Sequence, residues 1–530
     1  MSVNLNPLLN YEEFKIGLEG HPDRNFVDYI LNGIKNGVSI GYHASNIPSG
    51  SRLNWNSCNI HFDSVLAQIN RDLFLKRKIG PLSVLPRNYV CSPLGAFKRN
   101  RSKKVRVIHD LSWPPGHSVN DGISKEEFSM TYISIRFAID LIKQYGKGTL
   151  LAKVDLADAY KQIRVRKEDW PLLGSHIEVN GEILYFVDTV LPFGLRSSAK
   201  RFSDYADAVA YIMKKYGTTD VDHYLDDYLT GGPPNSQICE RNLQIMLTTC
   251  DRLCVLVNPD KIIGPTTCLE FLGLIIDSIR MEVRISYERL LDTVNLLRSW
   301  SQKRICTLRE LLSLIGKLTF ISQVVFHSRT FIRGLINGSK KLKHLQHRIR
   351  LSKGMRLDID WWLRFLPQWN GVSVIKQQEK GESIHIYTDA SDYQFGCYIP
   401  YLQQWISSSL PLPLADIVAK ELYAVCVTLY TWPHILKKKS CVFHCDNMAV
   451  VSMIKSHTTK HEQSIVLLRS MFFVCSLFDI SIDSEFIPTE ANIADSLSRG
   501  MIAKFVNSFP NARNGRCSPI DPDLSCCGSL

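Results

Sequence analysis

"HYLDDYL", residues 223–229, sets two adjacent aspartates, Asp226 and Asp227, inside an apolar and aromatic run. His223, Tyr224 and Leu225 on one side, and Tyr228 and Leu229 on the other, pattern as the arms of a short β-hairpin. Two carboxylates at the tip of buried arms repel each other, and burial removes the water that would solvate them. Two readings are open at this point. Either the doublet is a surface turn that uses Asp as a turn former, or a cation neutralises it. The rest of the chain has to decide between them.

The chain has 530 residues, 45% hydrophobic, 10% aromatic and 22% charged, which suits two to four folded domains. The formal net charge of +12 favours a polyanionic partner. The most apolar run, "MFFVCSLF" (471–478), is far shorter than the roughly 20 residues a membrane span needs, so no membrane partner is expected. The first residues, "MSVNLNPLLNYEEF", lack the basic-then-apolar order of a signal peptide. The 15 cysteines are scattered. "CVFHC" (441–445) alternates like a strand and "CDRLC" (250–254) like a helix, so both read as buried free thiols rather than metal clusters. The expected setting is intracellular and reducing, cytoplasm or nucleus.

Residues 1–60 are weakly patterned, and "SNIPSGSRLNWNS" (45–57) reads as a loop. From 61 to 280 strands and helices alternate. Residues 281–376 turn helical. There, "TLRELLSLIGKLTFISQVV" (307–325) opens with Thr307 and Glu310 in capping-box spacing, and the basic "KKLKHLQHRIR" (340–350) follows. "QQEKGES" (377–383) reads as a linker, 384–500 as a second α/β unit, and 501–530 as a loose tail.

Upstream of the hairpin, "TLLAKVDLADAYKQIRV" (149–165) reads as a strand ending at Asp155, with a second strand after Tyr160. A strand-end aspartate plus an Asp-Asp hairpin can bring carboxylates to one locus. Such a cluster holds two divalent cations about 3.5–4 Å apart, suited to activating a hydroxyl and stabilising a leaving phosphate. Mg²⁺ prefers such hard oxygen ligands.

Asp155 and Tyr160, then "LPFGLRSSAKRFS" (191–203), "YLDD", "NPDK" (258–261) and "LEFLGLIID" (269–277), in that order, resemble the palm of a reverse transcriptase. The resemblance implies a right-hand polymerase of class α/β (α+β), with fingers and palm in 61–280 and a helical thumb and connection in 281–376. It implies that Asp155 and Asp226 ligate both metals and that Asp227 completes the acidic turn. Tyr160 would be a steric gate against a 2′-hydroxyl. Phe193 stands where retroviral enzymes carry glutamine, which bears on fidelity. Gly194 would let backbone approach the incoming base pair, on a loop ahead of a helix capped by Ser197 or Ser198. Lys261 would approach the leaving phosphate, and "FLGLIID" would form a primer-side hairpin. In "FKRNRSKKVRVIHDLSWPPGHSVNDGI" (97–123), Lys104 and Arg106 match fingers positions that hold the triphosphate. "IHDLSWPPGHSVNDGI" resembles DIRS-type retroelements, which integrate with a tyrosine recombinase. The basic 285–365 section would track duplex phosphates.

The second unit carries another acid set. "SIHIYTDASD" (383–392) delivers Asp389 on a strand, and "ADIVAKELYAVCVTLYTWP" (415–433) delivers Glu421 at the edge of a helical stripe of Val418, Leu422, Val425 and Leu429. "CVFHCDNMAVVSMI" (441–454) delivers Asp446 at a strand end, and "ANIADSLSRG" (491–500) delivers Asp495 on a short helix closed by Gly500. Asp, Glu, Asp, Asp on these elements resembles ribonuclease H, a mixed sheet with helices. The resemblance implies a second two-metal site that cuts RNA. "FIPTEANIAD" (486–495) lacks the histidine that retroviral versions carry, and Glu490 is a candidate substitute.

The expected protein is thus a retrotransposon reverse transcriptase with ribonuclease H activity, copying RNA and then DNA. It would use two Mg²⁺ per site, with Mn²⁺ as an alternative. Its partners would be an RNA template, a DNA primer, RNA–DNA hybrid and deoxynucleoside triphosphates, with a recombinase or integrase from another reading frame. The competing readings are a domesticated copy acting as a nucleic-acid-binding scaffold and a pararetroviral polymerase fragment.

Overall fold

The computed structural model describes residues 8–44, 47–48, 52–98, 105–130, 135–325, 328–340, 342, 344–369, 371–375, 383–410, 414, 416–457, 459 and 461–518. Lys104, much of the 377–383 linker and the end of the tail lie outside these residues. The chain divides into two compact units, Met1–Leu272 with Ser278–Arg280, and Gly273–Asp277 with Met281–Leu530. Both are α/β, the class expected from the sequence.

In the first unit, the weakly patterned N-terminus folds into α1 (Tyr11–Leu18) and α2 (Arg24–Asn36). Asn10 caps α1 and Asp23 caps α2, each accepting a backbone N–H. Phe14, Leu18 and Ile30 are fully buried in the unit's main core. A two-stranded ribbon follows, β1 (Leu94–Lys98) antiparallel to β2 (Val105–His109). The central sheet is built from β3 (Leu150–Asp155), β4 (Val221–Tyr224), β5 (Asp227–Gly232) and β6 (Ile263–Thr266), in the order β4-β5-β3-β6, all antiparallel. Helix α3 (Ser198–Lys215) lies beside it and buries Phe202, Tyr205 and Val209.

Two local expectations are corrected. After Asp155 the chain makes a 3₁₀ turn, Ala159–Gln162, and then only isolated bridges at Arg164 and Val165, not a second strand. Asp158 and Ala159 both take positive φ, which ends extended structure there. Ser197 occupies the cap position of α3 but makes no capping bond, while the Ser198 hydroxyl donates to the Pro192 carbonyl instead.

In the second unit, Leu274–Asp277, Glu282–Arg284 and Val372–Val374 form short antiparallel strands, so 281–376 is mixed rather than helical throughout. Its helices include α4 (Tyr287–Ser301), α5 (Leu308–Ile321) and α6 (Lys353–Phe365). The Thr307–Glu310 capping box forms as expected. Then come β7 (Ile384–Ala390), β8 (Gln394–Ile399), β9 (Gln404–Ser409), α7 (Ile417–Thr431), β10 (Ser440–Cys445), α8 (Met448–Ser456), α9 (Glu462–Phe478), β11 (Ser481–Phe486), α10 (Asp495–Ser498), α11 (Ile502–Ser508) and β12 (Arg513–Asn514). The sheet order is β11-β10-β7-β8-β9-β12. The β7-β8-β9 run is antiparallel, and β10 and β11 continue parallel to β7.

Helix α7 is buried almost all round rather than along one stripe, Lys420 and Glu421 included, because it lies between the sheet and α9. The expected loose tail is ordered at its start. Phe505 of α11 buries against Tyr398, Trp405 and Leu497, and β12 adds to the sheet edge beside β9.

Candidate active sites

Strand pairing builds the first site. Asp155, last in β3, sits opposite Asp227, first in β5. The β4–β5 hairpin pairs Tyr224 with Asp227 around a two-residue turn, and Leu225 enters that turn at φ 54°. Leu156 N–H donates to the Asp226 carbonyl at 2.8 Å, tying the end of β3 to the turn. The three predicted carboxylates therefore meet at one sheet edge. The "NPDK" segment hangs from the same point, since Asn258 N–H donates to the Asp155 carbonyl at 2.8 Å. It delivers Lys261, whose Nζ lies 2.8 Å from both Asp155 carboxylate oxygens.

The acids lack water and full compensation. Burial raises the Asp226 carboxyl, Asp155 adds to the rise, and Lys261 and Arg106 pull it back. Burial also pushes Asp227 up to about 6, opposed by Lys153 and reinforced by Asp155 and Asp226. Asp227 Oδ1 is buried without a hydrogen-bond partner. An orphaned carboxylate oxygen, two neighbouring carboxylates and a lysine ammonium already drawn to one of them make a donor set that fits a hard divalent cation. Lys153 was missed in the sequence because its place in "LAKVDL" marks only a strand.

The remaining predicted residues surround this edge. Arg106 is exposed on β2, and its charge reaches Asp226. Tyr160 packs its ring 5.0 Å from Phe193 and 5.6 Å from Phe202. Gly194 has φ 112°, and a Cβ there would lie 1.9 Å from the His109 carbonyl, so glycine is required. Phe193 accepts from His109 N–H at 3.0 Å, which pins the loop to β2.

The second site lies at the ends of β7 and β10. Asp389 is buried, and burial with Asp446 and Asp495 pushes it up to about 7, while Ser498 lowers it by donating to Oδ2. Burial, then Asp389 and Asp446, push Glu421 up to about 9. Glu421, Cys445 and Asp446 offer ligand atoms that all lie within 4.8 Å of one another. Thr489 donates to Asp446 at 2.7 Å, Asn492 holds the Thr388 carbonyl at 3.0 Å, and Arg499 pairs with Asp495 at 2.7 Å. The four predicted acids thus feel one another's charge. Ser498 and Asn492 were missed, although Ser498 follows Asp495 by one helical turn. Glu490 is exposed on the 3₁₀ turn Thr489–Ala491.

Residues 103–276 match the family model described as reverse transcriptase (RNA-dependent DNA polymerase). This part of the chain is a reverse transcriptase domain, and it contains the first site entire. No curated protein matches the chain. Among solved structures, foamy viral protease-reverse transcriptase "dRH" in complex with double-stranded DNA is similar with TM-score 0.49 at 13% identity, over 92% of this chain and 83% of that one. The same viral protein in complex with RNA/DNA hybrid is similar with TM-score 0.48 at 13% identity, over 92% and 64%. In complex with double-stranded DNA, it is similar with TM-score 0.47 at 15% identity, over 92% and 99%.

Proposed function

We propose that this chain is a retrotransposon polymerase of DIRS type that copies RNA, and then DNA, into DNA and degrades the RNA of the hybrid. The observation that carries the reading is the meeting of Asp155, Asp226 and Asp227 at one sheet edge inside the reverse transcriptase domain. These three would hold Mg²⁺, or Mn²⁺, which when bound supplies Lewis-acid activation of a primer 3′-hydroxyl and neutralises the leaving pyrophosphate. Arg106, exposed beside them, is suited to hold triphosphate oxygens. Lys261 bridges the Asp155 oxygens and is within reach of a leaving phosphate at the same edge. The Tyr160 ring, backed by Phe193 and Phe202, has little room to yield to a 2′-hydroxyl.

Asp389, Glu421, Asp446 and Asp495 would hold the second metal pair, where the attacking group is water and the bond cut is an RNA phosphodiester. The substrates are then an RNA template, a DNA primer, deoxynucleoside triphosphates and RNA–DNA hybrid. A recombinase or integrase from another reading frame would complete the element's cycle. The expected compartment is reducing, in cytoplasm or nucleus, and the thiol of Cys254 is exposed. Among the described residues no helix is long and apolar enough to cross a membrane.

The test is primer extension on poly(rA)/oligo(dT) with Mg²⁺. Wild type should extend and Asp226→Asn should not, and extension by both or by neither removes the polymerase reading. A labelled RNA–DNA hybrid should be cut by wild type and left whole by Asp446→Asn, which should still extend primers.

A further inference from the structure

Two histidines outside both acid sets meet on the sheet of the second unit. His385 lies in β7 and His444 in β10. His444 pairs in register with Tyr387, and His385 with Val442, so the two imidazoles are diagonal neighbours. His385 and Tyr387 alternate with the buried Ile384 and Ile386, which places them on the open face of the sheet. The His444 ring stacks on Tyr387 with centroids 4.6 Å apart and planes 20° apart. His385 Nδ1 and His444 Nε2 are 2.8 Å apart. His385 is exposed, whereas His444 is buried.

The neighbouring strand orients the buried ring. Glu485 of β11 pairs in register with His444, and its Oε2 lies 3.7 Å from His444 Nδ1. That nitrogen is buried and makes no hydrogen bond. A carboxylate only accepts, so the tautomer with its proton on Nδ1 is favoured. Nε2 then carries the lone pair and faces His385. A carboxylate behind an imidazole whose far nitrogen is free is the arrangement that orients histidine on zinc and raises its basicity. When His385 takes the tautomer with Nδ1 unprotonated, two imidazole lone pairs converge at the solvent edge. Tetrahedral bonds of about 2.0–2.1 Å set two ligating nitrogens about 3.3 Å apart. The pair must therefore open by about 0.5 Å, which a small rotation of the exposed His385 supplies while Tyr387 and Glu485 hold His444.

We propose that His385 and His444 bind one divalent transition-metal ion of the zinc class, with Glu485 orienting His444 and water completing the coordination. Imidazole nitrogen suits Zn²⁺, whereas Mg²⁺ prefers the carboxylate oxygens of the two acid sets. The inference stands apart from the polymerase and nuclease readings, because it uses none of their residues. His385 precedes Asp389 by four residues and His444 precedes Asp446 by two. The ion would thus tie together the two strands that deliver those acids.

The experiment titrates the full chain, stripped of metal with EDTA and dialysed, with Zn²⁺ by calorimetry in excess Mg²⁺. Wild type should bind one more equivalent of Zn²⁺ than His385→Ala, and the comparison cancels zinc held by the cysteines, which both proteins share. His385→Gln, which keeps a polar side chain at the surface, should lose the same equivalent. Glu485→Ala should bind it about 10- to 100-fold more weakly. A thermal melt controls for folding. All four proteins should melt alike in EDTA, and Zn²⁺ should raise the wild-type midpoint more than that of either His385 variant. Equal zinc stoichiometry in wild type and His385→Ala, or an equal rise in their midpoints, overturns the site. Unchanged zinc affinity in Glu485→Ala overturns the orienting role of that carboxylate.

Discussion

Gly396→Ala should silence the second site without touching an acid. Gly396 lies in β8 opposite Asp389 of β7, under α10. A Cβ at this position would lie 2.5 Å from Leu497 Cβ, 2.7 Å from Ser498 N and 2.8 Å from the Ala494 carbonyl. Carbon contacts are comfortable only from about 3.5 Å, so α10 must recede by about 1 Å. Two of its neighbours are backbone atoms, which cannot rotate aside. The same turn carries the Asp495 carboxylate and the Ser498 hydroxyl that donates to Asp389. A retreat of about 1 Å stretches and weakens that hydrogen bond and moves one acid of four. Displacements of this size cost about a hundredfold in rate, and overpacking costs about 1–3 kcal/mol in stability. The assay compares hybrid cleavage with primer extension from one preparation, alongside a thermal melt. Cleavage should fall about a hundredfold and extension should hold. Gly316→Ala is the control, since a Cβ there meets nothing within 4 Å. It should leave both activities intact and stabilise helix α5 by about 0.5–1 kcal/mol. Cleavage by Gly396→Ala within twofold of wild type would refute the packing argument.

Gly194→Ala should destabilise the first unit by at least about 2 kcal/mol, read as a lowered denaturation midpoint, because positive φ and a backbone clash with His109 act together. His223→Ala should lower kcat about tenfold while leaving primer–template affinity unchanged. The His223 ring ties the acidic turn, through the Leu225 carbonyl at 3.1 Å, to Asp207 of α3 at 3.0 Å, and His223→Gln should recover part of the loss. Tyr160→Ala should admit ribonucleotides in single-nucleotide insertion assays, and unchanged sugar selectivity would refute the gate. Folded-state values raised at Asp227, Asp389 and Glu421 to about 6, 7 and 9 contribute stability that is present at low pH and lost as pH rises through them. In EDTA the midpoint should therefore fall between about pH 4 and 9, Mg²⁺ should oppose the fall, and Glu421→Gln should flatten its upper end.

What could be read from the chain beforehand followed from local pattern. The strand ending at Asp155, the Asp-Asp hairpin and the Thr307 capping box are each dictated by neighbours in sequence, and each forms as expected. What escaped depends on tertiary packing. Helix α1 has only 8 residues, too few for a periodic signal, and is held because Phe14 and Leu18 find a core supplied by distant elements. The C-terminal α11 escaped for the same reason, since its 7 residues are too few for a periodic signal and Phe505 is buried only because Tyr398 and Trp405 close over it. The α7 stripe was underestimated because sequence shows one apolar face and cannot show that α9 covers the other. Ser498 and His223 lie beside predicted acids, but whether a serine or histidine points at a carboxylate is decided by backbone geometry.

The two acid clusters solve the same electrostatic problem with different means. At the first, positive charge is already supplied by the chain: Lys261 bridges the Asp155 oxygens, and Lys153 and Arg106 oppose the shifts of Asp227 and Asp226. At the second, the shift of Asp389 is opposed chiefly by a neutral hydroxyl, Ser498, and the one arginine paired within the set lies on Asp495. Its inner carboxyls, Asp389 and Glu421, accordingly sit higher than Asp227. If the proposed cations bind, the raised carboxyls of the second site would give up protons to one, whereas at the first site the Lys261 ammonium would yield its place. On the proposed function, Lys261, which now bridges both Asp155 oxygens, would give way to a bound cation and would then be free to face phosphate.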